Sequence, residues 1–234
     1  MTELKIAQFN CRGFRSKAMD IEEYFNSLEV DIICFNETKY TSTDHLQLPG
    51  YRVVSQTLSK THGSAILVKE ELQISESSII TEGFGLEILI VTLTCQRLGK
   101  FSVVLIYNSP QTILNEHLLR AAIQASHSVL LVGDFNAKSK ELGNNLTNPS
   151  GTILVDVIEN QSLTVLNDEN DTFFNNRTSS RLDLHIANRN VATTALQFEV
   201  GEKLGSDHKV TLSTLKLSVE KDVGSRSTGS RSRD

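Results

Sequence analysis

Six short groups of residues in this chain carry side chains that could act together on a phosphodiester: Gln8-Phe9-Asn10, Asn36-Glu37-Thr38, Ile106-Tyr107, Gly133-Asp134-Phe135-Asn136, Arg181-Leu182-Asp183 and Ser206-Asp207-His208. Asn10 follows the apolar run Ile6–Phe9, Glu37 follows Ile32–Phe35, Tyr107 and Asn108 follow Val103–Ile106, and Asp134 and Asn136 follow Leu130–Val132. Asp183 sits amid Leu182, Leu184 and Ile186, and Ser206-Asp207-His208 precedes the last apolar run. Strand ends at one rim of a sheet let rigid backbone aim several side chains at one point. A hard cation takes oxygen ligands and keeps positions for water and phosphate. Glu37 is the leading ligand candidate, with Asn10 and Asp207 beside it. Asp134 is the candidate base for a water, and Asn136 the amide that orients it. Tyr107 and His208 are candidate donors to negative charge growing on the phosphate. Asp183 would keep the imidazole protonated by ion pairing. Singly, each group has a bland reading: a capping Asn, a β-turn in Gly-Asp-Phe-Asn, a surface pair in Asp207-His208. The order of all six carries the argument. His62 and His185 fall outside the set and read as structural.

The elements that must hold these groups are legible as hydrophobic patterns. Strands are expected at Leu4–Asn10, Asp31–Asn36, Tyr51–Thr57, Ser64–Lys69, Glu87–Thr94 and Phe101–Tyr107. Further strands are expected at Ser128–Gly133, Leu163–Asn167, Arg181–Ala187, Ala195–Val200 and Val210–Leu217. From Ser16 to Leu28, Ala18, Ile21, Tyr24, Phe25 and Leu28 share one helical face, and Leu114, Leu118, Ala121, Ala122 and Ala125 mark a second amphipathic helix. Gly151–Asn160 reads as a third. Strands outnumber helices and do not alternate strictly with them, which implies mixed sheets with helices on their outer faces. One domain is expected over 1–217. Residues 218–234 read as a disordered tail or an added linker, since the run after Val223 has no apolar residue.

Composition sets the limits. Of 234 residues, 39% are hydrophobic and 22% charged, ordinary values for a globular protein. No apolar run approaches the roughly 18 residues needed to cross a bilayer, and the N-terminus lacks a secretory pattern, so no membrane partner is expected. Cys11, Cys34 and Cys95 are isolated and odd in number, which fits a reducing compartment without disulfides. The net charge of −5 is unusual for a protein that grips nucleic acid by an electrostatic coat, and by itself leans towards another substrate.

The six groups, in this order, resemble the signature motifs of the endonuclease/exonuclease/phosphatase superfamily, over residues 4 to about 217. Within it, Leu48-Pro49-Gly50-Tyr51, His62-Gly63-Ser64-Ala65-Ile66-Leu67-Val68-Lys69, Gly133-Asp134-Phe135-Asn136-Ala137 and Thr172-Phe173-Phe174 are similar to passages of the apurinic-endonuclease-like endonuclease domains of LINE-type retrotransposons. The resemblance implies a four-layered α/β sandwich of two mixed β-sheets with outer helices, like that of deoxyribonuclease I. It implies Mg²⁺, with Mn²⁺ as a substitute, double-stranded DNA as substrate, and a nick that leaves a 3′-hydroxyl primer for reverse transcription. A reverse transcriptase in the same full-length polyprotein and a nuclear site of action follow from that. It assigns Asn10, Glu37, Tyr107, Asp134, Asn136, Asp183, Asp207 and His208 to catalysis and metal binding. Arg12, Thr172, Asn175, Asn176, Arg177, Thr178, Ser180 and Ser206 are assigned to the DNA side. Arg12 stands where apurinic repair enzymes carry an Asp, the chain has no Trp, and Pro110 lies three residues after Tyr107 rather than two. These departures point away from abasic-site repair. The alternatives are a cellular repair endonuclease or exonuclease, a small-molecule or lipid phosphatase, and an RNA deadenylase.

In LINE-type endonucleases the loop matching Asn175–Ser180 probes a DNA groove, and Arg177 gives it a cation at its centre. Replacing Asn175–Ser180 by a short glycine-serine turn is expected to leave cleavage intact and to redistribute nick positions on a long duplex. An unchanged nick map would reduce this segment to a turn.

Overall fold

The computed structural model describes residues 3–41, 46–83 and 85–221. Its strands are β1 (Leu4–Asn10), β2 (Ile32–Asn36), β3 (Tyr51–Gln56), β4 (Ala65–Lys69), β5 (Ile74–Glu82), β6 (Leu86–Cys95) and β7 (Gly99–Asn108). They continue with β8 (Val129–Asp134), β9 (Thr164–Val165), β10 (Phe173–Phe174), β11 (Ser179–Ser180), β12 (Asp183–Ala187), β13 (Ala195–Val200) and β14 (Thr211–Leu215). The helices are α1 (Ala18–Leu28), α2 (Glu116–Gln124), α3 (Pro149–Asn160) and the single turn α4 (Arg189–Ala192).

Two six-stranded mixed sheets form, in the orders β13-β14-β1-β2-β4-β3 and β5-β6-β7-β8-β12-β9. The central strands are apolar on both faces because both faces are covered. Along β1, Leu4 and Ile6 point between the sheets, against Leu89, Val91 and Val103. Ala7 and Phe9 point outward, onto Ile21 and Phe25 of α1. On the second sheet, Val104, Ile106, Val129 and Leu131 face outward onto Leu119 and Leu154 of α2 and α3. The result is the expected α/β/β/α sandwich. Three runs differ from the reading above. β5 was not anticipated, because ISESSIITE is mostly polar; it lies at a sheet edge and is largely exposed. Leu163–Asn167 shrinks to the two residues of β9. Ser179–Ser180 pairs with Phe173–Phe174 as a hairpin, so the connecting loop is Asn175–Thr178. Backbone pairing also runs past Leu217: Ser218 accepts from Gln96, and Glu220 bonds Gln73 and Thr94. Residues 222–234 of the expected tail lie outside the described residues.

Parallel pairing fixes the functional rim. β1 and β2 run parallel with Asn10 opposite Asn36, and β7 and β8 run parallel with Tyr107 opposite Asp134. β12, antiparallel to β8, starts at the same edge with Asp183 opposite Asp134. Gly133 makes the β7–β8 pairing possible at that end: its φ is +146°, and a Cβ there would lie 1.9 Å from the Ile106 carbonyl oxygen. Gly133→Ala is therefore expected to cost roughly 3 kcal/mol in urea denaturation, a backbone clash added to an unfavourable φ. A loss under about 1 kcal/mol, the size of an ordinary surface change, would contradict that close approach.

Candidate active site

The two sheets meet at this rim through side chains. Asn10 Nδ2 donates to Asp134 Oδ2 at 2.9 Å and to Glu37 Oε1 at 3.1 Å, so one amide ties the end of β1 to both neighbours. Gln8 Nε2 donates to Asp183 Oδ1 at 2.9 Å and to Asn36 Oδ1 at 3.0 Å. The Asn36 side chain in turn accepts from the Asp134 backbone N–H. Arg12, Glu37 and Asn136 all have positive φ, the sparsely populated region that tends to collect at functional sites. Asn136 is braced by donating to the Asn108 carbonyl and accepting from Asn148 Nδ2.

His208 lies at the centre and is buried. Its Nδ1 is 2.8 Å from Asp183 Oδ2, while Nε2 faces Asp134 Oδ2 at 3.8 Å and Asp207 Oδ1 at 4.0 Å. Burial opposes its charge, but Asp183 and then Asp134 outweigh that and lift its pKa to about 9. Asp183 is itself fixed. Thr172 Oγ1 accepts from its backbone N–H at 3.0 Å, and Gln8 holds its other oxygen. Burial pushes Asp134 well above the usual carboxylate range; His208 pulls it down and Asp183 pushes it up again. Burial above all, and then Glu37, raise the Tyr107 phenol, which therefore stays a donor at neutral pH.

Glu37 anchors the other side. Tyr107 Oη donates to Glu37 Oε1 at 3.4 Å, and His62 Nδ1 lies 3.2 Å from the same phenol. Lys39 Nζ is 3.3 Å from Glu37 Oε2, and Arg12 pairs with Asp207. Asp134, Asp183 and His208 bring ligand atoms within 4.8 Å of one another, and while His208 is protonated its imidazolium has no lone pair to give. Glu37 and Asp207 add further hard oxygen donors to the same cleft. Each already draws a side-chain cation, and carboxylate oxygens suit Mg²⁺ or Mn²⁺. Asn10, expected among the ligands, instead turns its N–H groups to the carboxylates, while its oxygen accepts from the Arg12 backbone.

Most of the expected site thus converges. Arg12, Glu37, Asp134, Asn136, Asp207 and His208 line one open cleft of about 510 Å³, with Phe173, Asn175 and Lys138 at its border. Thr172 and Ser180, expected beside DNA, are buried and serve the backbone of the hairpin and of Asp183. Ser206 donates to the Asn10 carbonyl and so holds the turn before His208. Asn175 spends its side-chain oxygen on the backbone of Arg177 and Thr178, while Asn175, Asn176, Arg177 and Thr178 are exposed. His62, read as structural, touches Tyr107 and belongs to the site. His185 is structural in its contacts: burial holds it neutral, with a pKa near 3, and it bonds Ser213 and Thr211. Gln8 and Asn36 were overlooked as positioning groups. Their signal was a polar side chain within a strand apolar on both faces, which must find partners.

A family model described as Exo_endo_phos_2, endonuclease-reverse transcriptase, matches residues 101–212. The chain is 25% identical over 219 residues, 91% of its length, to the RNA-directed DNA polymerase from mobile element jockey of Drosophila melanogaster. It is 27% identical over 164 residues, 68% of its length, to a probable RNA-directed DNA polymerase from transposon BS of the same fly. The chain spans only 24% and 18% of those relatives. Among solved structures, the endonuclease domain of TRAS1, a telomere-specific non-LTR retrotransposon, superposes with a TM-score of 0.71 at 18% identity, covering 92% of this chain and 99% of that one. The Xenopus laevis APE2 catalytic domain superposes at 0.75 and 17% identity, covering 93% of each. Fold, site and matches define a nuclease-type phosphodiesterase. Within that class, residues 101–212 are similar to an endonuclease-reverse transcriptase family, and the fold is similar to that of a non-LTR retrotransposon endonuclease domain.

Because burial raises the Asp134 pKa, its ionised form opposes folding, and the cost grows as pH rises above the unfolded carboxylate value. Without divalent cations, Asp134→Asn is expected to melt about 4 °C higher at pH 8, as 1–2 kcal/mol gives in a domain of this length, and to gain less at pH 5. A lower melting temperature would show that Asp134 is a net stabilising group.

Proposed function

We propose that this chain is a Mg²⁺-dependent endonuclease domain that nicks double-stranded DNA and leaves a 3′-hydroxyl primer for a reverse transcriptase in the same longer protein. Such work on chromosomal DNA places it in the nucleus. The observation that supports this best is the imidazolium of His208 beside the buried carboxylate of Asp134, at the mouth of an open cleft. His208 Nε2 has a proton that Asp183 does not engage, and at 3.8–4.0 Å it lies beyond hydrogen-bond distance of Asp134 and Asp207, so that proton can go to a phosphate oxygen in the cleft. Asp134, with its raised pKa, takes the proton of the attacking water, and Asn136 beside it orients that water. His208 Nε2 and the Tyr107 phenol donate to the phosphate as charge grows on it. The water oxygen bonds to phosphorus, the bond from phosphorus to the 3′-oxygen breaks, and that oxygen takes a proton from solvent to leave as the primer hydroxyl. Glu37 and Asp207 would hold a divalent cation, which would supply neutralisation of phosphate charge and of the leaving oxygen.

With Mg²⁺, the purified domain is expected to convert supercoiled plasmid to open circles that a DNA polymerase extends without prior end treatment. EDTA should abolish this, and Glu37→Gln should reduce it by at least 100-fold (on the order of one lost transition-state contact) while the protein stays folded. Full nicking by Glu37→Gln would overturn the metal assignment. Release of inorganic phosphate from small phosphoesters without nicking would turn the reading to a phosphatase.

A further inference from the structure

Phe173 and Phe174 are consecutive residues of β10, so their rings take opposite sides of the hairpin. The Phe173 ring packs on His208, with centroids 5.0 Å apart. The Phe174 ring holds two ammonium groups: Lys203 Nζ lies 4.4 Å from its centroid and Lys209 Nζ 5.1 Å. Neither lysine has a carboxylate within 4.0 Å among the described residues. Two like charges are thus gathered on one ring with no counter-charge, in a chain whose net charge is −5. A ring face attracts each cation but does not neutralise it, and an anion between the two would. The arrangement is tied to the catalytic turn. The Phe174 N–H donates to the Asp207 carbonyl at 2.8 Å, and the Lys209 N–H donates to that of Thr172 at 2.8 Å.

We propose that Lys203, Phe174 and Lys209 form a second anion site that takes a non-scissile phosphate of the polynucleotide, flanking the bond presented to His208. The phosphate is a flanking one because Phe174 faces the opposite side of the hairpin from Phe173 and His208. Ammonium groups are point charges without the planar fork that reads a base edge, so the site grips backbone regardless of sequence. It gives an acidic protein a local cationic hold, and it sets the register of the strand against the cleft. This inference rests on the endonuclease reading.

The test is the salt dependence of binding to an oligonucleotide duplex that spans the cleft, in EDTA, beside plasmid nicking by the wild-type protein. For Lys203→Ala/Lys209→Ala, the slope of log binding constant against log salt should fall in magnitude by roughly 0.9, the value for one phosphate charge no longer neutralised. Phe174→Leu keeps both charges and is expected to bind more weakly, with less than half of that slope change. Lys100→Ala, at the opposite end of β7 and paired with Glu76, should keep the wild-type slope. A wild-type slope in the double variant, or an equal loss in Lys100→Ala, overturns this inference. If the wild-type protein neither binds nor nicks duplex DNA, the endonuclease reading falls with it. If the wild-type protein nicks while the double variant binds like it, only the Lys203–Lys209 site is lost.

Discussion

A buried imidazole stays protonated only where carboxylates outweigh the loss of solvent, and much of the rim of this molecule is organised to meet that condition at His208. Asp183 supplies the direct bond and Asp134 the second charge. Asp183 can do so because both its oxygens are engaged, one by His208 and one by Gln8. Gln8 is held in turn by Thr211, whose hydroxyl donates to its side-chain oxygen at 2.9 Å and lies 3.0 Å from His185 Nε2. A line of buried hydrogen bonds thus runs from the core between the sheets to the reacting group. Because the line crosses from one sheet to the other, sheet packing and proton placement are one constraint.

The linkage has a sign. With its pKa raised to about 9, His208 adds stability in full below the unfolded value near 6.5 and loses it as pH rises through about 9. Asp134 works in the opposite direction, since its ionised form is disfavoured by burial. The site therefore keeps one group charged and another strained at neutral pH, the separation of roles that acid–base catalysis needs. The acidic balance of the chain fits the same picture. Glu37 and Asp207 repel a phosphate until cations answer them, and Lys39 and Arg12 stand beside those carboxylates.

Much of this was legible in the sequence, for definite reasons. Strands buried on both faces are continuous apolar runs, and a reactive side chain ending such a run marks the rim; Asn10, Glu37 and Asp134 were found that way. The register was not legible, because apolar runs pair equally well at several offsets, and so the roles of Gln8 and Asn36 were missed. β5 hid because an exposed edge strand has no need of apolar residues. β11 hid because two residues cannot show a period. His62 gave no signal, since its contact with Tyr107 depends on a turn at Gly63 that only the folded chain brings beside β7. Thr172 was assigned to the right place for the wrong purpose: it lies beside Asp183, facing inward.

The charge on His208 underlies both the rim and the chemistry, and ¹⁵N chemical shifts of that ring through a pH titration of the metal-free protein measure it directly. Both nitrogens are expected to be protonated at pH 7, with a midpoint near 9. A ring that is neutral at pH 7, with a midpoint at or below the ordinary histidine value of about 6.5, would contradict it.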